Sequence, residues 1–342
     1  MRSLRAREGD FIETREGLIF DVKGLVHPPD RVVAYLRYLE DPSGDRRRGD
    51  KTYTKVYSLS DREKTLRNRY PQYLFYDPIF GESLQGVPHE SIYKVYQPTR
   101  RVSELLRESD LDRVETEALE LVQSLHDLSS VDLGGIGLSG SILVNLHTET
   151  SDIDVIVYGR ENCMLVHEAL RQSMGERKGP ASPYDLADLK RLFEFRSKDT
   201  RMPLEDFIRL ERRKLSQGKY KGRDFFARFL LDWGEVDEEY GDRTYSAVGY
   251  SKIKARVEDD SDSIFTPCRY VMSEVEILGG TNIPYIREIA SLRGRFCEQA
   301  RKGELVVAQG KVEKIVEVDG TESYRLILGA KPSDFMISEA ED

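Results

Sequence analysis

Asp152 and Asp154 stand one residue apart at the head of an apolar run, Ile153-Asp154-Val155-Ile156-Val157-Tyr158, and ten residues separate Asp152 from a Gly140–Ser141 pair. In a strand alternate side chains share a face, so the two carboxylates project together while Ile153, Val155 and Val157 pack into a core. Carboxylates so paired suit hard cations, and two magnesium ions held there would keep positions for water and phosphate oxygens. One such ion lowers the pKa of an attacking hydroxyl; the other steadies a pyrophosphate leaving group. Glycine lets the backbone approach a phosphate closely, and the Ser141 hydroxyl can donate to it. A helix over Ile142–His147 would aim free amides at the same place. Such chemistry calls for a third carboxylate on a neighbouring strand, as metal ligand and general base. Asp224 is the candidate, with Asp232 and Glu194 as competitors.

The elements that must position these groups are legible around them. Leu111, Val114, Ala118, Leu121, Val122, Leu125 and Leu128 recur at helical spacing, with Ser109 or Asp110 as cap, and deliver the chain to the glycine turn. Met164, Leu165, Ala169 and Leu170 mark a helix after the aspartates, and Asp224–Leu231 alternates as a strand. Between Lys190 and Arg228 basic residues outnumber acidic ones about two to one. A solvated helix face is the ordinary source of such a run. Its place beside a metal site makes Lys214, Lys219 and Lys221 candidates for triphosphate contact.

Three other readings compete. Gly135-Ile136-Gly137-Leu138-Ser139-Gly140 is a literal GxGxxG, but the dinucleotide fingerprint must follow a strand and be followed by one that ends on an acid. Gly137-Leu138-Ser139-Gly140-Ser141 approaches a nucleophile elbow, with Ser141 where its last glycine belongs. An isolated Asp-Ile-Asp is most often an edge strand facing water; the Gly-Ser upstream argues against that here.

The run Ser139-Gly140-Ser141, ten residues, then Asp152-Ile153-Asp154-Val155-Ile156-Val157 resembles the signature of the polymerase-β nucleotidyltransferase superfamily. The whole chain also looks like a group of archaeal predicted nucleotidyltransferases. The resemblance implies a mixed sheet with helices on one side over roughly 110–240. It makes Gly140 and Ser141 binders of an NTP's phosphates and Asp152 and Asp154 ligands to Mg2+, two ions being expected. Many relatives carry a small residue, an arginine and a glycine where this chain has Leu143, Val144 and Asn145.

At 342 residues and 39.3 kDa the chain has room for two or three domains. An α+β organisation is expected: an N-terminal α/β unit (1–105), a nucleotidyltransferase domain (106–240) and a β-rich, OB-like C-terminal domain (241–342). In the first, Leu18–Leu25, Val32–Leu39 and Tyr53–Tyr57 read as strands and Ser60-Asp61-Arg62-Glu63 as a capping box. Tyr53, Tyr57, Tyr70, Tyr73, Tyr76, Tyr93 and Tyr96 suit a tyrosine-rich core, with base stacking as the alternative. The C-terminal strands run Ser251–Val257, Arg269–Leu278, Glu288–Phe296 (or a helix over Ile286–Ala300), Leu305–Val318 and Ser323–Leu328, with a hairpin turn at Asp319-Gly320. A net charge of −9 excludes a coat for nonspecific nucleic-acid binding. No apolar run reaches bilayer length, and three scattered cysteines make no zinc motif, so a cytoplasmic protein without membrane partners is expected. The expected activity is nucleotidyl transfer to an acceptor hydroxyl, RNA or DNA being candidate acceptors. The alternative is a nucleic-acid-binding or nucleotide-sensing protein with a silent transferase domain.

Overall fold

The alternating apolar runs of the first hundred residues pair antiparallel into an eight-stranded sheet: β1 (Phe11–Thr14), β2 (Ile19–Val22), β3 (Arg31–Glu40), β4 (Arg46–Arg48), β5 (Lys51–Lys55), β6 (Leu74–Asp77), β7 (Glu82–Pro88) and β8 (Ile92–Tyr96). The order is β4-β5-β3-β2-β1-β8, with β7 joining β3 to β6. In the computed structural model, which describes residues 5–175, 179, 181–198 and 200–339, the chain is α+β. One face of this sheet buries Phe20, Val22, Ala34 and Leu36 in a core shared with Leu66 of helix α1 (Leu59–Arg69). The α1 cap is Ser58, whose Oγ accepts from Asp61 N at 3.2 Å, two residues before the Ser60 expected from sequence.

The opposite face buries Phe11, Ile19, Tyr38 and Tyr53 against Leu143, Val144 and Leu146. The departure at Leu143–Val144 thus has a packing reason: both side chains are core. Asn145, exposed and at φ +54°, makes the left-handed turn that a glycine would otherwise make.

Helices α2 (Pro98–Leu105) and α3 (Arg113–Ser129) lead to a second sheet. The α3 cap is Asp112, in a full capping box with Glu115, in place of Ser109 or Asp110. Strand β9 (Ile136–Leu138) enters the one-turn helix α4 (Gly140–Leu143), and β10 (Ile153–Tyr158) enters α5 (Arg160–Gly175). Strands β11 (Ala181–Ser182), β12 (Gln217–Tyr220) and β13 (Arg223–Leu230) complete the order β11-β12-β13-β10-β9. β10 runs antiparallel to β9 and parallel to β13. That antiparallel pair is incompatible with the parallel βαβ unit a dinucleotide fingerprint requires. Gly137 has a packing reason instead, since a Cβ there would meet Pro98 and Thr99 at 2.5–2.8 Å.

Both sheets belong to one compact unit, made of the chain up to Asp77, Glu82–Ser182 and Gly218–Tyr240. The boundary expected at 105/106 falls inside it. A second unit holds Pro78–Gly81, Pro183–Gln217 and the chain from Gly241. It contains α6 (Leu186–Arg196), α7 (Leu204–Glu211), and strands β14 (Arg243–Asp259), β15 (Cys268–Gly280), β16 (Glu288–Ser291), β17 (Leu305–Glu317), β18 (Glu322–Ile327) and β19 (Phe335–Ser338). The strands run β14-β15-β16-β18-β17, and β17 pairs again with β14, closing a ring around Tyr270, Met272, Val306, Ala308 and Leu326. β16 stops at Ser291 and a short turn, Gly294–Phe296, replaces both the longer strand and the helix considered there. Gly320 turns the β17–β18 hairpin at φ +83°. Among the described residues no helix is long and apolar enough to cross a membrane.

Candidate functional site

After β9 the backbone turns at Gly140, whose φ of +62° is left-handed and whose missing Cβ would lie 1.9 Å from Asp154 Oδ2. Glycine is needed there twice, for the turn and because the Asp154 carboxylate lies against its Cα. Ser139 N donates to Asp154 O at 2.8 Å, and Ser139 Oγ donates to Gly9 O at 2.7 Å, fastening the turn to β10 and to the N-terminal loop. The helix expected over Ile142–His147 is the single turn α4 instead. It ends because Leu143 and Val144 turn into the core and Leu146 N folds back to Ser141 O at 2.9 Å.

A pocket of about 60 Å³ lies beside this turn, bounded by Ser139, Gly140, Ser141 and Asp154, with Arg228 of β13. The first sheet supplies its other wall: Asp21 from β2, Arg37 and Tyr38 from β3, and Lys55 from β5. Arg37 is placed by a β-bulge. Ile19 pairs with Tyr38 and Phe20 with Leu36, which leaves Arg37 without a partner across β2. The space admits a few waters, ions or a phosphate group, and no whole nucleotide.

The charges around it are unusual in having been left open. Among the described residues, the side chains of Asp152, Asp154, Arg37 and Lys55 make no hydrogen bond and no ion pair. Burial, and then the Asp152 charge, push the Asp154 carboxyl up to about 6, against the pull of Arg228, Lys55 and Arg37. Burial, and then Arg37, push the Lys55 ammonium down. Asp21 behaves differently. Burial would raise it, but Lys23, Arg228 and Arg37 hold it below the usual carboxylate range, and its ion pair with Lys23 measures 2.8 Å. Arg228 in turn bonds the fully buried Glu8. Two oxygen-donor side chains on one strand face, unpaired and repelling each other, are a donor set that fits a hard divalent cation.

No family model matches this chain, and no solved structure matches it. It is similar to an uncharacterized protein of Methanocaldococcus jannaschii, 29% identical over 341 residues that cover 97% of this chain and 98% of the relative.

The structure brings together Gly140, Ser141 and Asp154, with Asp152 exposed at the rim. Asp224 stands one step ahead of the β10–β13 ladder, beside Asp152 and on the same face, because Ile153 pairs with Phe225. Its carboxylate is exposed, bonds Lys219 at 3.0 Å and lines no part of the pocket. Asp232 caps Trp233 and pairs with Arg7, while Glu194 lies on α6 of the second unit. The lysines expected at the phosphates are engaged elsewhere: Lys219 with Asp224, Lys221 with Glu120, and Lys214 with Glu211 in the second unit. The pocket's cations come from the first sheet instead. Sequence reading missed Asp21, Arg37 and Lys55, although Asp21 and Arg37 each interrupt an otherwise apolar strand.

A second group of ligand types, Asp112, Glu115 and His147, has ligand atoms within 4.8 Å of one another. Here the groups are already used. Asp112 and Glu115 form the α3 capping box, His147 Nε2 lies 2.7 Å from Asp112 Oδ2, and Glu115 accepts from Arg101 at 2.5 Å.

Proposed function

We propose that this chain is a magnesium-dependent nucleotidyltransferase resembling the polymerase-β superfamily, moving a nucleotidyl group from an NTP to an acceptor hydroxyl with release of pyrophosphate. One observation carries the reading: among the described residues the unpaired Asp154 carboxylate lies against a left-handed Gly-Ser turn and shares its pocket with two unpaired cations, Arg37 and Lys55, with the unpaired Asp152 two residues before it on the same strand face. Half-buried charge is costly unless compensated, so a site that leaves Asp154, Arg37 and Lys55 open, with the exposed Asp152 beside them, has the complement of a metal–triphosphate. Asp152 and Asp154 would hold the metal, with Asp21 and Asp224 the carboxylates nearest to serving as a third. Magnesium there would activate the acceptor hydroxyl and offset charge on the leaving pyrophosphate. Arg37 and Lys55 orient and neutralise phosphate oxygens, and the bare Gly140 backbone lets them come close beside the Ser141 hydroxyl.

In the second unit the ring order, first-second-third-fifth-fourth with the third and fifth strands parallel, supports an OB-like barrel. RNA or DNA as acceptor rests on that likeness. The exposed Glu274 and Glu276 of β15, and Glu288 of β16, weigh against a phosphate backbone on that face. Nucleotide sensing without turnover is the second reading, favoured by the ion pairs that already occupy Asp21 and Asp224.

Transfer of label from each α-labelled NTP, with magnesium, to RNA, DNA fragments and the protein itself tests the proposal. Label that passes to one acceptor with wild type and not with Asp154→Ala supports it and identifies both substrates. Magnesium-dependent ATP binding with no transfer supports the sensing role. Absence of both removes the nucleotide reading altogether.

A further inference from the structure

The pocket has room for phosphate and metal only, so a bound nucleotide must place its base outside, and the surface at that point decides what base it meets. The tyrosines of the first hundred residues divide clearly. Tyr53 and Tyr73 are buried in cores, and Tyr96 bonds Glu13. Tyr57, Tyr76 and Tyr93 are exposed. Tyr57 alone of these three stands with its ring against the pocket's cations: Lys55 Nζ lies 5.1 Å and Arg37 Cζ 5.7 Å from its centroid. Among the described residues neither cation has an ion pair.

Tyr57 is 56% exposed, and among the described residues its hydroxyl makes no hydrogen bond. Its position is nonetheless fixed. It lies two residues past the end of β5, and Val56 N between them donates to Arg37 O at 2.9 Å, tying the segment to the bulge that places Arg37. An exposed aromatic ring costs water contact and gains nothing here from a core, and the two cations around it supply part of a stacking site in advance.

We infer that Tyr57 is the platform on which the base of the bound nucleotide stacks, so that the first sheet supplies the base subsite as well as the cations. The inference rests on the nucleotide reading above and adds a ligand part, the nucleobase, to it. A single open ring recognises area and not hydrogen-bonding edges, so the subsite prefers purines to pyrimidines and discriminates weakly between adenine and guanine.

Binding of ATP and of inorganic tripolyphosphate to the full chain, measured by calorimetry with magnesium, separates base from phosphate. Tyr57→Ala is expected to weaken ATP roughly tenfold while leaving tripolyphosphate within about twofold. Tyr57→Phe, which keeps the ring, should bind both as wild type does and controls for folding. An ATP affinity unchanged in Tyr57→Ala overturns the stacking role, as does an equal loss for both ligands. Wild type that binds ATP no more tightly than tripolyphosphate also overturns it and leaves the phosphate site standing. Wild type that binds neither removes both inferences together.

Discussion

Two regions of this molecule treat buried charge in opposite ways. In the second unit Glu211 is fully enclosed, yet Arg196 meets its Oε2 at 2.7 Å, Lys214 meets Oε1 at 2.7 Å, and the Gln217 amide donates to it as well. Burial alone would raise the Glu211 carboxyl; Lys214 and Arg196 outweigh that and hold it below its ordinary range. In the first unit Asp154, Arg37 and Lys55 surround one pocket, and none has an ion pair among the described residues. Both regions set a carboxylate beside an arginine and a lysine. What differs is closure: the Glu211 group is complete in itself, whereas the pocket is complete only with something from solution. Basic residues clustered in sequence, as in the Lys190–Arg228 stretch, therefore say less about function than cations that structure leaves open.

The largest effect that would sharpen this contrast is catalytic. Asp154→Ala should reduce nucleotidyl transfer by about a thousandfold, roughly 4 kcal/mol of transition-state stabilisation, without loss of helical or sheet content by circular dichroism. Transfer at more than a tenth of the wild-type rate would mean that the open carboxylate is not part of the chemistry. Glu211→Gln should show the reverse, transfer little altered but stability lower by about 3 kcal/mol, because Lys214 is left buried beside a neutral group. Urea unfolding measures it. A cost below about 0.5 kcal/mol, the size of an ordinary surface substitution, would place Glu211 with the open charges and end the contrast.

How much of this was legible in the sequence follows the same division. The Gly140–Ser141 turn and the aspartates of β10 were readable because they lie within one local unit, where spacing and alternation decide which side chains meet. The α3 helix and the segments of five C-terminal strands were readable from periodicity, although β14 starts eight residues earlier, at Arg243, β19 was not foreseen, and helix starts moved to the caps Asp112 and Ser58. The other wall of the pocket was not. Asp21, Arg37 and Lys55 lie more than eighty residues before the motif in the chain, and their approach depends on a sheet face packing on Leu143, Val144 and Leu146. Arg37 depends further on a bulge that nothing in Val32–Leu39 announces. Asp224 was readable as a strand residue on the correct face, but its commitment to Lys219 arises from the β12–β13 connection, which periodicity does not describe.

The smallest expected effect concerns stability and carries the sign that separates the two regions. The Asp154 carboxyl, pushed up to about 6 by burial and by Asp152, ionises in the unfolded chain before it does in the folded one. Between about pH 4 and pH 6 the folded state therefore binds more protons, and stability falls as pH rises through that window. Above it the loss is constant. Asp154→Asn removes the charge and keeps the shape, so with chelator present the variant should be more stable than wild type at pH 7. The expected gain is about 1 to 2 kcal/mol, the full linkage being discounted because the group is only half-buried. Below about pH 4 the carboxyl is protonated in both states and the gain should vanish. Equal stabilities at pH 7 would show that Asp154 already has its charge compensated within the fold, and a gain that persists in acid would show that its charge is not the source of the difference. The contrast with Glu211 would then lose its basis, because an open charge at the pocket would no longer be needed to explain Asp154.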